Sequence, residues 1–195
     1  MKTECIASRF DGKLVFAVLG KVHSIKGQDI FLKAVSLMSA EKRNQCEFWV
    51  VGNKDTAFAT KLQETAMPYD NFKILGEFDR AGMNELFKRI SVVVTPSRAD
   101  MMPTANVEAM MYGIPCIISE NAGTAQFISN GIDGLISKSN DPHDLAAKME
   151  WVVDNRCRLA EMGKKSMAIY KNNFTMEVFE KNILAIMDKN INKRI

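Results

Sequence analysis

The apolar positions change period along the chain, and that alternation sets out its elements. Leu14 to Leu19 is an unbroken apolar run closed by Gly20, which reads as a strand buried on both faces. From Gln28 to Ser39 the apolar residues Ile30, Phe31, Ala34, Val35 and Met38 recur at helical spacing. Phe48 to Val51 is the next strand, closed by Gly52, and Thr56 to Ala66 the next helix. Phe72 to Leu75 is strand-like, and Asp79 suits the N-cap of a helix through Met83, Leu86 and Phe87. Ser91 to Thr95 contains Val92, Val93 and Val94, a β-branched run that favours a central strand. A helix over Thr104 to Tyr112 stops at Gly113 and Pro115, and Cys116 to Ser119 is a strand. A short helix near Thr124 to Ser129 precedes the last strand, Gly134 to Ser137. Helices then fill Pro142 to Val153, Arg156 to Tyr170 and Thr175 to Ile191, while residues 1–13 read as a lead-in or an edge element.

Strands of this length alternating with helices imply βαβ units with right-handed crossovers. The expected fold class is therefore α/β: a Rossmann-like parallel sheet of about six strands with helices on both faces. In such sheets ligands bind beyond the carboxyl ends of the strands, so the informative loops follow Leu19, Val51, Leu75, Thr95 and Ser119.

Composition narrows the function classes. The 195 residues are 47% hydrophobic and 25% charged, as in an ordinary soluble domain with a buried core. The net charge of +3, from 26 basic and 23 acidic residues, is scattered, unlike the clustered footprint of a nucleic-acid binder. The densest basic group is the tail, Lys189, Lys193 and Arg194; it reads as a solvated helix end, with weak contact to an anionic membrane as the alternative. Cys5, Cys46, Cys116 and Cys157 form no Cys-x-x-Cys pair, and Cys46 and Cys116 flank apolar runs, as buried structural thiols do. No signal-peptide pattern or apolar run of membrane-spanning length is visible, which points to a cytoplasmic setting.

Two loops carry candidate chemistry. The first reads Gly20-Lys21-Val22-His23-Ser24-Ile25-Lys26-Gly27. Its glycines allow close backbone approach, and its two lysines can converge on one anion, such as a leaving diphosphate. It is neither a Walker loop nor a Gly-x-Gly-x-x-Gly turn. The second runs from Thr95-Pro96-Ser97 through Asp100 and Pro103 to Glu108-Ala109-Met110. Pro103 suits the first helical position, which would leave the N–H groups of Thr104, Ala105 and Asn106 aimed at an anion. Asp100 before that end and Glu108 behind it can accept hydrogen bonds from vicinal hydroxyls.

These segments together resemble the C-terminal donor-binding domain of the group 1, family 4-like, retaining GT-B glycosyltransferases. The resemblance rests on Gly20-Lys21 with Lys26-Gly27, and on Pro96-Ser97 and Asp100, seven residues, then Glu108-Ala109-Met110. It extends to Gly113-Ile114-Pro115-Cys116-Ile117 and to Gly131 with Asp133-Gly134-Leu135, covering roughly residues 14–190. It implies that Lys21 and Lys26 clamp a nucleotide diphosphate beside Gly20, that Asp100 contacts the donor sugar, and that Glu108 binds the ribose. It further implies that Met102, Pro103, Thr104 and Ala105 cradle sugar and phosphates, and that Glu77 and Phe78 contact the base. Lys21 stands where the family has Arg, losing the planar fork, and Asp100 where it has Glu, one methylene shorter.

The implied function is hexose transfer from a UDP- or GDP-sugar to a glycan or lipid-linked acceptor, without a metal or other cofactor. Residues 1–195 then make one nucleotide-sugar-binding domain, with the N-terminal acceptor domain absent and the helix near 175–191 as a cross-domain element. Its apolar stripe, Phe179, Ile183 and Ile186, is expected to be partly exposed, and this chain alone to transfer sugar poorly. A non-catalytic nucleotide-sugar-binding partner subunit is the alternative. His23 reads as a loop histidine and His143 as a surface one; neither sits in a metal-ligand cluster. Met110, Met111, Trp49 and Trp151 read as core, whereas Met101 and Met102 stand beside the proposed sugar site.

Overall fold

The computed structural model describes Phe10 and residues 12–191, the last four of these by backbone alone. Six parallel strands form one sheet: β1 (Leu14–Leu19), β2 (Cys46–Val51), β3 (Phe72–Leu75), β4 (Val92–Thr95), β5 (Cys116–Ser119) and β6 (Leu135–Ser137), in the order β3-β2-β1-β4-β5-β6. Among the described residues, eight α-helices connect or follow them: α1 (Gln28–Leu37), α2 (Ala40–Arg43), α3 (Ala57–Ala66), α4 (Arg80–Arg89), α5 (Thr104–Met111), α6 (Pro142–Asp154), α7 (Leu159–Asn173) and α8 (Met176–Ile191).

Alternation along β1 explains the two helical layers. Leu14, Phe16 and Val18 join a core with Phe31 and Val35 of α1, Leu62 of α3 and Met149 of α6. Val15 and Ala17 point the other way, toward Phe87 of α4 and Met110 of α5. A strand covered on both faces needs no polar side chain, which is why the run from Leu14 to Leu19 is continuous. The β1–β4 seam is fixed from both strands: the Val15 N–H donates to Ser91 Oγ (3.0 Å) and the Ser91 N–H to the Val15 carbonyl (2.9 Å). Strand order reverses at this seam, so the loops after β1 and β4 open side by side.

Several boundaries differ from the sequence reading. The first helix ends at Leu37 because Met38 is extended, and the Ser39 N–H instead donates to the Glu150 carboxylate (2.7 Å). The four-residue α2 was not anticipated, being too short to show a period. Strand β2 starts at Cys46 rather than Phe48, in register with Leu14. Its interior Glu47 is accommodated by hydrogen bonds from Trp49 Nε1 (3.0 Å) and Lys73 Nζ (3.2 Å). The segment after β5 is a 3-10 turn over Gly123–Phe127, and a second such turn, Arg156–Arg158, precedes α7.

Trp49, Cys46, Cys116 and Met110 are buried as expected, whereas Trp151 only packs against the core edge beneath the Arg158 guanidinium. Burial pushes the Cys46 thiol up to about 12 and raises that of Cys116, so both stay protonated at neutral pH. Cys5, Lys193 and Arg194 lie outside the described residues, as does the side chain of Lys189. Among the described residues, no helix is long and apolar enough to cross a membrane.

Candidate functional site

The loop after β1 is shaped by close backbone contacts. The Gly20 N–H donates to the Val51 carbonyl (2.9 Å), and a Cβ on Gly52 would sit 2.0 Å from the Gly20 carbonyl oxygen, so only glycine fits there. Gly27, at φ +75°, turns the chain into α1, and a Cβ on it would lie 2.1 Å from the Pro96 carbonyl oxygen. The loops after β1 and β4 therefore touch through bare backbone. Gln28, fully buried in the first turn of α1, donates to the Lys21 carbonyl (3.0 Å) and holds that lysine's backbone in place. His23 is exposed, and its Nδ1 accepts the Ile25 N–H (3.2 Å), capping the 3-10 turn Ser24–Lys26.

The loop after β4 is tied to the first one by side chains. Lys26 Nζ donates to Asp100 Oδ2 at 2.5 Å. The Arg98 guanidinium makes a two-pronged pair with Asp29 of α1, Nη1 to Oδ1 at 2.9 Å and Nη2 to Oδ2 at 2.7 Å. Burial raises the Asp29 carboxyl, and the hydrogen bonds and charge of Arg98, together with the helix-end N–H groups of Asp29 and Ile30, more than offset that, leaving its pKa below the ordinary value. Behind the loop lies a buried polar chain: Thr95 Oγ1 donates to Asn106 Oδ1 (2.5 Å), and Asn106 Nδ2 donates to Thr124 Oγ1 (2.7 Å). The Gly123 N–H donates to the Asp100 carbonyl (2.8 Å), so the turn after β5 supports the Asp100 backbone.

One expectation about α5 is corrected. Pro103 is the N-cap rather than the first helical residue, and the Asn106 N–H turns back to the Pro103 carbonyl (3.1 Å). Asn106 is thus drawn into the core, and the helix end presents the amides of Thr104 and Ala105, which have no carbonyl one turn back within the helix.

Two adjoining cavities lie over these loops. The larger, about 580 Å³, is lined by Leu19, Gly20, Lys21, Val51, Gly52, Asn53, Thr56, Glu77, Phe78, Met83, Thr104, Ala105 and Glu108. The smaller, about 260 Å³, is lined by Lys26, Asp100, Ser97 and Pro103, and shares Gly20, Lys21, Thr104 and Ala105 with the first. Of the sequence-predicted residues, Gly20, Lys21, Lys26, Glu77, Phe78, Asp100, Pro103, Thr104, Ala105 and Glu108 converge on this space. Met102, 43% exposed, lines neither cavity. Asn53, Thr56 and Met83 line it without having been foreseen. Thr56 carries a visible signal, since its hydroxyl caps α3 by accepting the Ala59 N–H (3.0 Å). A separate cavity of about 540 Å³ between α1 and α3 is mainly apolar and lies off the strand ends. Among the described residues, no three His, Cys, Asp or Glu side chains gather as a metal site would require.

The model of the family described as "Glycosyl transferases group 1" matches residues 6–173. The chain belongs to the group 1 glycosyl transferases. It is similar to D-inositol 3-phosphate glycosyltransferase 2 of Catenulispora acidiphila, at 24% identity over 162 residues, 78% of this chain and 38% of the relative. It is also similar to the D-rhamnosyltransferase WbpZ of Pseudomonas aeruginosa, at 27% identity over 167 residues, 84% of this chain and 42% of the relative. Among solved structures, Anabaena HepE in complex with UDP and glucose superposes with a TM-score of 0.81 at 18% identity, covering 97% of this chain and 53% of that one. Sucrose-phosphate synthase of Thermosynechococcus elongatus gives 0.80 at 17% identity, covering 98% and 49%. At these identities the likeness to solved structures is one of fold, and the group 1 domain spans less than half the length of these two curated relatives.

Proposed function

We propose that this group 1 domain is the donor-binding half of a retaining glycosyltransferase that moves a hexose from a nucleoside-diphosphate sugar to a glycan or lipid-linked acceptor. The observation that carries the reading is the convergence of Lys21, Lys26, the Thr104 and Ala105 amides, Asp100 and Glu108 on one continuous space at the strand-order switch. Two lysines and a helix N-terminus form a fixed positive field where a diphosphate gathers charge as it leaves. Glu108, at the far side of that helix end, suits a ribose diol, and Phe78 and Met83 offer apolar surface to a base. Asp100 meets the sugar side, and Lys26 passes from its carboxylate to the phosphates when the donor enters. HepE, of the same fold, was solved in complex with UDP and glucose.

A complete active site needs a second surface over the open side of this space. Helix α8 exposes Phe179, Ile183 and Leu184 (59%, 40% and 53%) and Met187 (54%), an apolar face suited to crossing onto such a domain. This chain alone then binds nucleotide but transfers sugar slowly. Calorimetric titration with UDP, GDP and ADP tests the reading. One nucleotide binds, and Glu108→Ala weakens it about ten- to a hundredfold, in line with loss of a charge-assisted pair of hydrogen bonds. Absence of binding by all three overturns the donor-site reading, and efficient transfer from a UDP- or GDP-sugar to glycan acceptors overturns the incomplete-site part.

A further inference from the structure

Four side chains form two rungs between the segment running from β1 into α1 and the loop after β4. One rung, Lys26–Asp100, faces the smaller cavity. The other joins Arg98, two residues before Asp100, to Asp29 in the first turn of α1, three residues after Lys26, and Arg98 lines neither site cavity. Arg98 is held on every side. Its backbone N–H donates to the Ile25 carbonyl (2.9 Å), its Nη1 also donates to the Ser24 carbonyl, and its own carbonyl accepts from Asn121 Nδ2 (3.2 Å).

We infer that Arg98 is a positioning residue for the donor site, holding the loop of Lys26 and the loop of Asp100 at a fixed separation when the ligand opens the rung between them. The inference rests on the donor-site reading above. A diphosphate that recruits Lys26 removes the one side-chain link between these loops, among the described residues, that faces the cavity. Without a second link the loops pay an ordering cost on each binding event; with it they are organised beforehand. The outer rung suits that task because it lies off the cavity, and its two-pronged geometry fixes direction as well as distance. Lysine keeps the charge at this position and loses the fork. The Arg98 and Asp29 side chains remain 35% and 43% exposed, so the pair adds little to global stability and its role in binding separates from folding.

Titration of UDP, with GDP in parallel, into the wild type and the variants Arg98→Met, Arg98→Lys, Lys26→Met and the double variant Arg98→Met/Lys26→Met tests this. Arg98→Met weakens the nucleotide about tenfold while the melting temperature moves by only a few degrees, and Arg98→Lys recovers little of the affinity. Because the loop that Arg98 holds presents Lys26 to the phosphates, the loss in the double variant is smaller than the product of the two single losses. Wild-type affinity in Arg98→Met, or losses that multiply in the double variant, overturn the inference. Asp29→Asn, which keeps one acceptor, replaces Arg98→Met if that chain misfolds and is expected to weaken the nucleotide in the same direction. If Glu108→Ala loses the nucleotide and neither Arg98→Met nor Asp29→Asn does, the donor site stands and the positioning role falls. A wild type that binds neither nucleotide overturns both.

Discussion

The two ends of the candidate site are built differently. At the inner end, around Lys26 and Asp100, the charged and polar groups described above are paired before any ligand arrives: Lys26 with Asp100, Arg98 with Asp29, and Thr95 through Asn106 to Thr124. At the outer end Glu77 and Phe78 stand exposed on the loop after β3, held chiefly by Asp79, whose carboxylate caps α4 by accepting the Gly82 N–H (2.8 Å). The inner end is suited to holding charge in a fixed geometry; on the donor-site proposal, the outer end would take a flat, mostly apolar group. Electrostatic stabilisation needs groups that do not reorganise, whereas stacking tolerates movement.

The largest effect that separates the ends is expected at Asn106. It is fully buried, as is Thr124, and each of its two side-chain bonds has a buried hydroxyl partner. Asn106→Ala leaves both hydroxyls without their partner and opens a small cavity, at a cost of about 2–4 kcal/mol. Urea unfolding reads this as a lower midpoint at unchanged slope. A loss below about 1 kcal/mol would remove the distinction between an anchored and an open end.

That buried chain also shows what could be read beforehand. Strand β1 is a continuous apolar run, and β3 and β5 are short, mainly apolar segments between turn residues; all three were legible to the residue. So were the loop residues at short fixed spacing, such as Lys21 with Lys26 and Asp100 with Glu108. Asn106 was read through its backbone amide, as one of three aimed at an anion; its buried side-chain role was not legible, because its partners Thr95 and Thr124 lie 11 and 18 positions away, at separations no period encodes. Arg98 and Asp29 are 69 residues apart and meet only because α1 and the β4 loop share the sheet's switch point. At the open end Glu77 and Phe78 were named beforehand, but Asn53 and Met83 escaped for a related reason: they belong to separate loops and helices that the cavity alone unites.

A smaller effect is expected at Asp29, and its pH dependence identifies its cause. The native carboxyl lies below its ordinary value, so the stability it contributes is present above the unfolded pKa of about 3.9 and is lost as pH falls through the native one. Asp29→Asn should cost about 0.5–1 kcal/mol at neutral pH, as expected for a partly exposed but two-pronged pair. In urea titrations the gap from wild type should narrow as pH falls below the ordinary carboxylate range and through the native pKa, and shrink in about 1 M salt. A gap that persists in acid would mean that Asp29 acts through its helix-end hydrogen bonds rather than its charge.

The smallest effect on folding, and the clearest contrast in binding, is expected at Phe78. The ring is 42% exposed, so Phe78→Ala should change stability by less than about 0.5 kcal/mol. If the outer end takes the base, the same change weakens UDP or GDP about three- to tenfold through lost stacking. Pyrophosphate has no base and should bind wild type and Phe78→Ala alike, while Lys26→Met weakens pyrophosphate and nucleotide together. Titrating both ligands into both variants therefore assigns each end of the cavity its part of the donor. Equal losses for pyrophosphate and nucleotide in Phe78→Ala would place the diphosphate, not the base, against that ring.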